Sequence, residues 1–329
     1  MSISGPIVTI FGGSGFVGRY IARRMAKAGW RVRVGVRRPN EALFVRTYGV
    51  VGQVEPVLAN IRDDASVANA LAGAEAVVNC VGILAPMGQQ TFDSVQAEGA
   101  ARVARLSAEA GVKRFVHISA IGADAASLSA YARTKAAGEE GVLEHRPDAV
   151  ILRPSIVFGT EDEFFNRFAA IARLSPVVPV IGPETRFQPV YVDDVAAAAE
   201  KAATGGAAPG VYELGGPEVE TFRQLMRRML KVIGRKRLIV AVPWWVARIQ
   251  GRIFGFGARI TGGLLPAPVT LDQVLLLQCD NVVAEGAKGL SELGVTPTPM
   301  EAVLPDYLEP FMPYGQYARI TKSARHLRS

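Results

Sequence analysis

The sequence predicts an α/β protein: a doubly wound parallel sheet with a smaller, partly interleaved C-terminal lobe. Three observations carry that expectation. Short apolar runs alternate with helical patterns through the first half of the 329-residue chain. A glycine-rich turn joins the first run to the first helix. Beyond Pro154 the alternation loosens into pieces punctuated by proline and glycine, with a helical return at 194–203 and a strand at 210–214.

At 49% hydrophobic and 20% charged, the chain can build a real core and is not a disordered polymer. Its formal net charge of +7 admits nucleic acid, anionic lipid or acidic protein as partners, and composition does not choose among them. Cys80 and Cys279 sit in apolar stretches without metal-ligand spacing, so they read as buried free thiols in a reducing compartment. The first strand begins close to Met1, which leaves no room for a leader, and no apolar run reaches the roughly 20 residues of a membrane span. The expectation is a soluble or peripheral protein.

Taken in order, the first strand is Ile7–Phe11, and the turn Gly12-Gly13-Ser14-Gly15-Phe16-Val17-Gly18 follows it. Gly12, Gly15 and Gly18 lack a Cβ where a tight turn, a pyrophosphate and a packed helix would each exclude one. The helix that follows, read as 17–28, opens with unpaired N–H groups that favour an anion. The second strand, Arg31–Val36, ends in Arg37 and Arg38 where an NAD site would place an acid for the ribose 2′-hydroxyl. Two guanidinium groups suit a 2′-phosphate instead, so the cofactor expected is NADPH or NADP+. After the third strand, Val54–Leu58, Asp63 can accept from an adenine amino group. A helix at 66–71 leads to a fourth strand at 76–81, which carries Asn79 and Val81 and ends at Gly82, where close backbone approach is permitted.

A helix at 97–110 precedes the fifth strand, 114–119, in which His117 reads as packed or hydrogen-bonded. Beyond it, Tyr131 and Lys135 stand four residues apart on one helix face. A nearby cation favours tyrosinate, which would let Tyr131 act as an acid or base while Lys135 bonds a ribose. A sixth strand at 150–152 completes the first unit.

These residues resemble the short-chain dehydrogenase/reductase superfamily in its extended, atypical branch, over roughly residues 5–220. The resemblance rests on the glycine turn, Asp63, Asn79–Gly82, Tyr131/Lys135, Arg153-Pro154-Ser155 and Tyr212-Glu213-Leu214-Gly215-Gly216. It implies a Rossmann sheet, with the pyrophosphate turn contributing Ser14, Phe16 and Val17, and with Ser119 and Pro154 bordering the nicotinamide. Within the superfamily, 131–139, 153–168 and 188–195 look like the nucleotide-binding accessory subunits of respiratory complex I, NADH:ubiquinone oxidoreductase. That likeness implies a tightly held NADPH, vestigial Tyr131 and Lys135, and other subunits of that complex as partners. It also implies a peripheral place on the cytoplasmic side of the inner membrane. Active relatives present a Ser or Thr beside the tyrosine; alignment of the fifth strand puts Ala120 there, with Ser119 one residue early and on the opposite face.

The final third carries no catalytic motif. It concentrates Trp244 and Trp245 with Arg248, Arg252 and Arg259 among Ile249, Ile253, Phe254 and Phe256, which suits a protein interface or anionic lipid headgroups. A basic tail holds Arg319, Lys322, Arg325 and Arg328. The domains expected are 1–153 for the nucleotide, 154–310 for the smaller lobe and 311–329 for the tail. Three functional classes stay open: an NADPH-holding accessory subunit, an active NADP-dependent reductase, dehydrogenase or epimerase on a hydrophobic substrate, and a nucleic-acid or NADP-sensing module. No nucleic-acid-binding signature accompanies the third.

Overall fold

Runs of β-branched residues buried on both faces form parallel strands, and helices must then cover each face. The computed structural model describes residues 5–260 and 270–313, and side chains outside 254–260. Its first unit runs β1 (Ile7–Phe11), α1 (Phe16–Lys27), β2 (Arg31–Val36), β3 (Val54–Leu58), α2 (Asp64–Leu71), β4 (Ala76–Asn79), α3 (Glu98–Glu109), β5 (Arg114–Ile118), α4 (Ala130–His145) and β6 (Val150–Pro154). The second part follows as β7 (Val157–Phe158), α5 (Phe165–Leu174), β8 (Val177–Ile181), β9 (Arg186–Phe187), β10 (Val190–Tyr191), α6 (Val192–Ala203), β11 (Gly210–Leu214), β12 (Glu220–Thr221), α7 (Phe222–Val232), β13 (Leu238–Val242), α8 (Trp244–Ile260), α9 (Leu271–Leu276) and α10 (Met300–Tyr307).

Seven strands pair in parallel in the order β3-β2-β1-β4-β5-β6-β11. The order reverses between β1 and β4, which opens a crevice at their carboxyl ends. Alternation sorts the side chains. Val8, Ile10, Val34, Val116 and Ile118 share a core with α1 and α6, whereas Phe11, Val77 and Phe115 share one with α2, α3 and α4. Because α6 and β11 come from beyond residue 190, the second part supplies one helix and one edge strand to the first. A third core joins α5, α7 and α10 through Phe165, Phe222, Met229 and Leu304.

Local chemistry moves several boundaries away from those read in the sequence. The fourth strand stops at Asn79 and not at 81, because the Asn79 side chain turns to accept the Val81 N–H at 3.2 Å. Helix α2 starts two residues early because Asp63 caps it, its carboxylate accepting the Ser66 N–H at 2.7 Å. Cys279 is exposed, contrary to the buried thiol expected: it ends the short turn after α9 and not a core segment. The side chains of Phe254, Phe256 and Arg259, and the tail cations from Arg319 onward, lie outside the described residues.

Candidate functional site

The glycine turn stands at the carboxyl end of β1, at the mouth of the crevice. Gly12 adopts φ +75°, a conformation side chains resist, and its N–H donates to the Gly35 carbonyl at 3.0 Å. A Cβ on Gly18 would lie 2.4 Å from the Gly12 oxygen, so only glycine lets α1 pack this close to the turn. Gly15 is the N-cap residue of α1 and is exposed, with Ser14, Phe16 and Val17 half-buried around it. The first N–H groups of α1 therefore face an open cradle suited to an anion.

Beside the cradle, β2 ends at Val36 and both following arginines are exposed. Arg38 pairs with Glu41 at 2.9 Å, whereas Arg37 has no hydrogen-bond or ion-pair partner among the described residues. Asp63 is exposed at the start of α2 and spends one carboxylate oxygen on its helix cap. Val81 is half-buried and Gly82 exposed at the end of β4.

Helix α4 brings Tyr131 and Lys135 to the same crevice. The Lys135 ammonium donates to the Ile118 carbonyl at 3.1 Å and lies 6.0 Å from the Tyr131 ring centroid. A Cβ on Gly82 would be 3.5 Å from that nitrogen, which ties the β4 end to the α4 pair. Burial pulls Lys135 down to about 8, against the opposing charge of Glu139. Burial pushes the Tyr131 hydroxyl up to about 12, and the nearby Asp272 carboxylate adds to that shift. The expected tyrosinate is thus disfavoured here, because desolvation and next the Asp272 carboxylate both penalise the phenolate.

Phe115 belongs to the core beneath α2, α3 and α4, so His117, two residues on, falls on the same face, and Ser119 follows the last residue of β5. The Ser119 hydroxyl is buried and has no hydrogen-bond partner. His117 Nδ1 meets the Asn79 amide at 3.3 Å, while its Nε2 is buried without a partner. Burial, and next the Lys135 charge, pull the His117 imidazole down to about 3, so it is neutral at physiological pH.

Sequence reasoning missed two residues that set this geometry. Asp272, from α9, accepts hydrogen bonds from the Ser129 hydroxyl at 2.8 Å, the Ala130 N–H at 2.6 Å and the Tyr131 N–H at 3.2 Å. It thereby fixes the start of α4. Asn281 accepts from the Ser155 hydroxyl at 2.7 Å and the Ile156 N–H at 3.1 Å, and it donates to the Ile121 carbonyl at 3.3 Å. It ties the chain after Pro154 to the end of β5. Both act across more than 120 residues of sequence, and no local pattern marks them. Among the described residues no His, Cys, Asp or Glu cluster could hold a metal.

Residues 8–215 match the NAD dependent epimerase/dehydratase family. The chain is 33% identical over 314 residues to NADH dehydrogenase (ubiquinone) 1 alpha subcomplex subunit 9, mitochondrial, of Arabidopsis thaliana, covering 93% of this chain and 78% of that one. It is 34% identical over 242 residues to the ceramide reductase of Caulobacter vibrioides, covering 72% of this chain and 74% of that one. Among solved structures, the NADPH-dependent quinone oxidoreductase of Escherichia coli, complexed with NADPH, superposes with a TM-score of 0.69 at 19% identity. That match covers 92% of this chain and 98% of the other, and it is a likeness of fold.

Proposed function

Because this chain belongs to the NAD dependent epimerase/dehydratase family, the extended short-chain dehydrogenases/reductases, and is homologous to a subunit of NADH:ubiquinone oxidoreductase, we propose that it is a peripheral accessory subunit of that complex. In this reading it holds NADPH or NADP+ and does not turn it over. It assembles with the other complex I subunits and stabilises them at the membrane surface, on the cytoplasmic side of a bacterial inner membrane. No helix among the described residues is long and apolar enough to cross a membrane, which fits attachment at a surface.

The observation that carries the nucleotide reading is the cradle itself. Its third glycine can be nothing larger, its helix N–H groups are open, and the strand beside it ends in an unpartnered arginine instead of an acid. Gly12, Ser14, Gly15, Phe16, Val17 and Gly18 would hold the pyrophosphate. Arg37 and Arg38 would take the 2′-phosphate, with Asp63 toward the adenine. Asn79, Val81, Gly82, Ser119, Tyr131, Lys135 and Pro154 would line the nicotinamide half. When bound, a nicotinamide nucleotide supplies or accepts hydride. Tyr131 stays protonated with its hydroxyl up at about 12, so it is poorly primed as the base that oxidation of an alcohol would need.

One observation favours an enzyme instead. Ser119, just past the end of β5, has a buried hydroxyl without a partner, and an active reductase needs a substrate-binding serine near that strand end. The experiment that decides is purification from native membranes followed by extraction of the bound nucleotide and a turnover assay. NADPH recovered with the intact complex, and no NADPH consumption with quinones or long-chain carbonyl compounds, is expected. Turnover in the wild type that disappears in Tyr131→Phe would overturn the accessory reading.

A further inference from the structure

Between residues 221 and 271 the chain carries ten basic side chains, from Arg223 to Arg259, and not one Asp or Glu. That excess is larger than the net charge of the whole protein, so the rest of the chain is net acidic. The fold gathers part of it at one place. Arg223, Arg227 and Lys231 project at helical spacing from α7 into a cavity of about 460 Å³, which Arg235, Lys236 and Arg237 close from the following loop. Arg235 and Arg237 are fixed there by donating through Nε to the Phe311 and Ala172 carbonyls, at 2.8 and 2.7 Å. Arg223 has Glu184 at 3.1 Å, but Arg227, Lys231 and Lys236 have no ion-pair partner among the described residues.

An apolar row starts at the rim of that cavity. Leu238 and Val240 stand on the outer face of β13, 66% and 39% exposed, and the chain passes through Pro243 directly into α8. There the buried Ala247 and Gly251 face α9, since a Cβ on Gly251 would meet Leu271 at 2.8 Å. The opposite side presents Trp245, Ile249 and Ile253 at four-residue steps, each exposed, with Arg248 and Arg252 beside them.

We propose that this face of the C-terminal lobe, from the α7 cavity along β13 to α8, docks on an anionic phospholipid surface, with lipid phosphates entering the basic cavity. Charge complementarity selects the occupant: long cations flanking an exposed apolar row match headgroup phosphates above acyl chains. A soluble phosphate ligand would use the cavity but leave Trp245, Ile249 and Ile253 without a purpose. The proposal rests on the peripheral placement above only for the membrane it meets, and it is tested on the isolated protein.

Flotation of the full chain with vesicles of phosphatidylcholine alone, or with about a third phosphatidylglycerol, reads the affinity. Binding to the anionic vesicles only, weakened by salt, is expected. Changing Arg227, Lys231 and Lys236 together to Gln should lower the partition coefficient on the order of a hundredfold, given the contribution of each basic residue near an anionic surface. The variant Arg227→Lys with Lys231→Arg and Lys236→Arg should restore it. Trp245→Ser with Ile249→Ser should weaken binding while leaving its salt dependence. Equal binding to neutral vesicles, no binding to either, or an unaffected triple variant overturns the proposal. Release by millimolar inorganic phosphate at constant ionic strength would assign the cavity to a soluble anion instead. Failure to bind vesicles, alongside loss of co-purification with the complex in the triple variant, would assign the face to an acidic protein partner. Nucleotide retention should not change in any of these variants, so failure here leaves the nucleotide reading standing.

Discussion

Arg37→Ala should remove most of the discrimination between NADPH and NADH, and Arg38→Ala much less. The asymmetry follows from their surroundings. Arg37 is exposed at the end of β2 and has no partner among the described residues, so its guanidinium is free to meet a 2′-phosphate. Arg38 must first leave Glu41, at 2.9 Å with both side chains largely exposed, a pair of the kind worth about 0.2–1 kcal/mol. A charge-assisted hydrogen bond contributes about 1.5–3 kcal/mol, so losing Arg37 should weaken NADPH binding roughly ten- to a hundredfold. NADH affinity should stay the same, because its 2′-hydroxyl offers no anion. Glu41→Gln should tighten NADPH binding by a few fold, since it frees Arg38. Calorimetric titration of nucleotide-stripped protein with both nucleotides measures the two affinities. Equal affinity of the wild type for NADH and NADPH refutes the reasoning outright. An Arg37→Ala variant that loses both nucleotides equally would assign that arginine to general attraction and not to the 2′ position.

Further expectations concern the turn, the α4 cap, the tyrosine and acid stability. Gly18→Ala places a Cβ 2.4 Å from the Gly12 oxygen and should cost about 1–3 kcal/mol in urea unfolding, along with bound nucleotide. Asp272→Ala strips three hydrogen bonds from the start of α4 and should cost about 2 kcal/mol, read as a lower urea midpoint; an unchanged midpoint would remove Asp272 as a positioning residue. Tyr131→Phe removes one hydroxyl and should cost about 1 kcal/mol of nucleotide affinity, with NADH:quinone activity of the assembled complex near normal. His117 is held neutral with its pKa near 3, against 6.5 when free, so the unfolded state binds the extra proton between those values. Stability from this group is complete above pH 6.5 and declines as pH falls toward 3, by up to about 1.4 kcal/mol per pH unit. The wild type should therefore lose stability faster than His117→Gln across that window, and parallel curves would contradict the buried neutral imidazole.

The sequence by itself determined what backbone sterics and side-chain alternation decide within a few residues. Gly12 and Gly18 announced the cradle because a positive φ at the first and a Cβ 2.4 Å from the Gly12 oxygen at the second each exclude a side chain within a few residues, and β1, β2 and β3 took the bounds read from their β-branched runs. Tyr131 and Lys135 were legible as a pair because four residues make one helical turn. Arg37 was legible as the candidate for a 2′-phosphate because an acid was missing at a fixed distance from the glycines. The tertiary structure decided everything that depends on what surrounds a group. It turned Cys279 outward and left the Ser119 hydroxyl buried without a partner. It also raised the Tyr131 hydroxyl instead of lowering it. Asp272 and Asn281 reach their partners across more than 120 residues, and the α7 cavity exists only where the loop before β13 folds back over the helix. Desolvation and long-range charge are properties of a packed neighbourhood, and no spacing along a chain encodes which distant side chain will fill it.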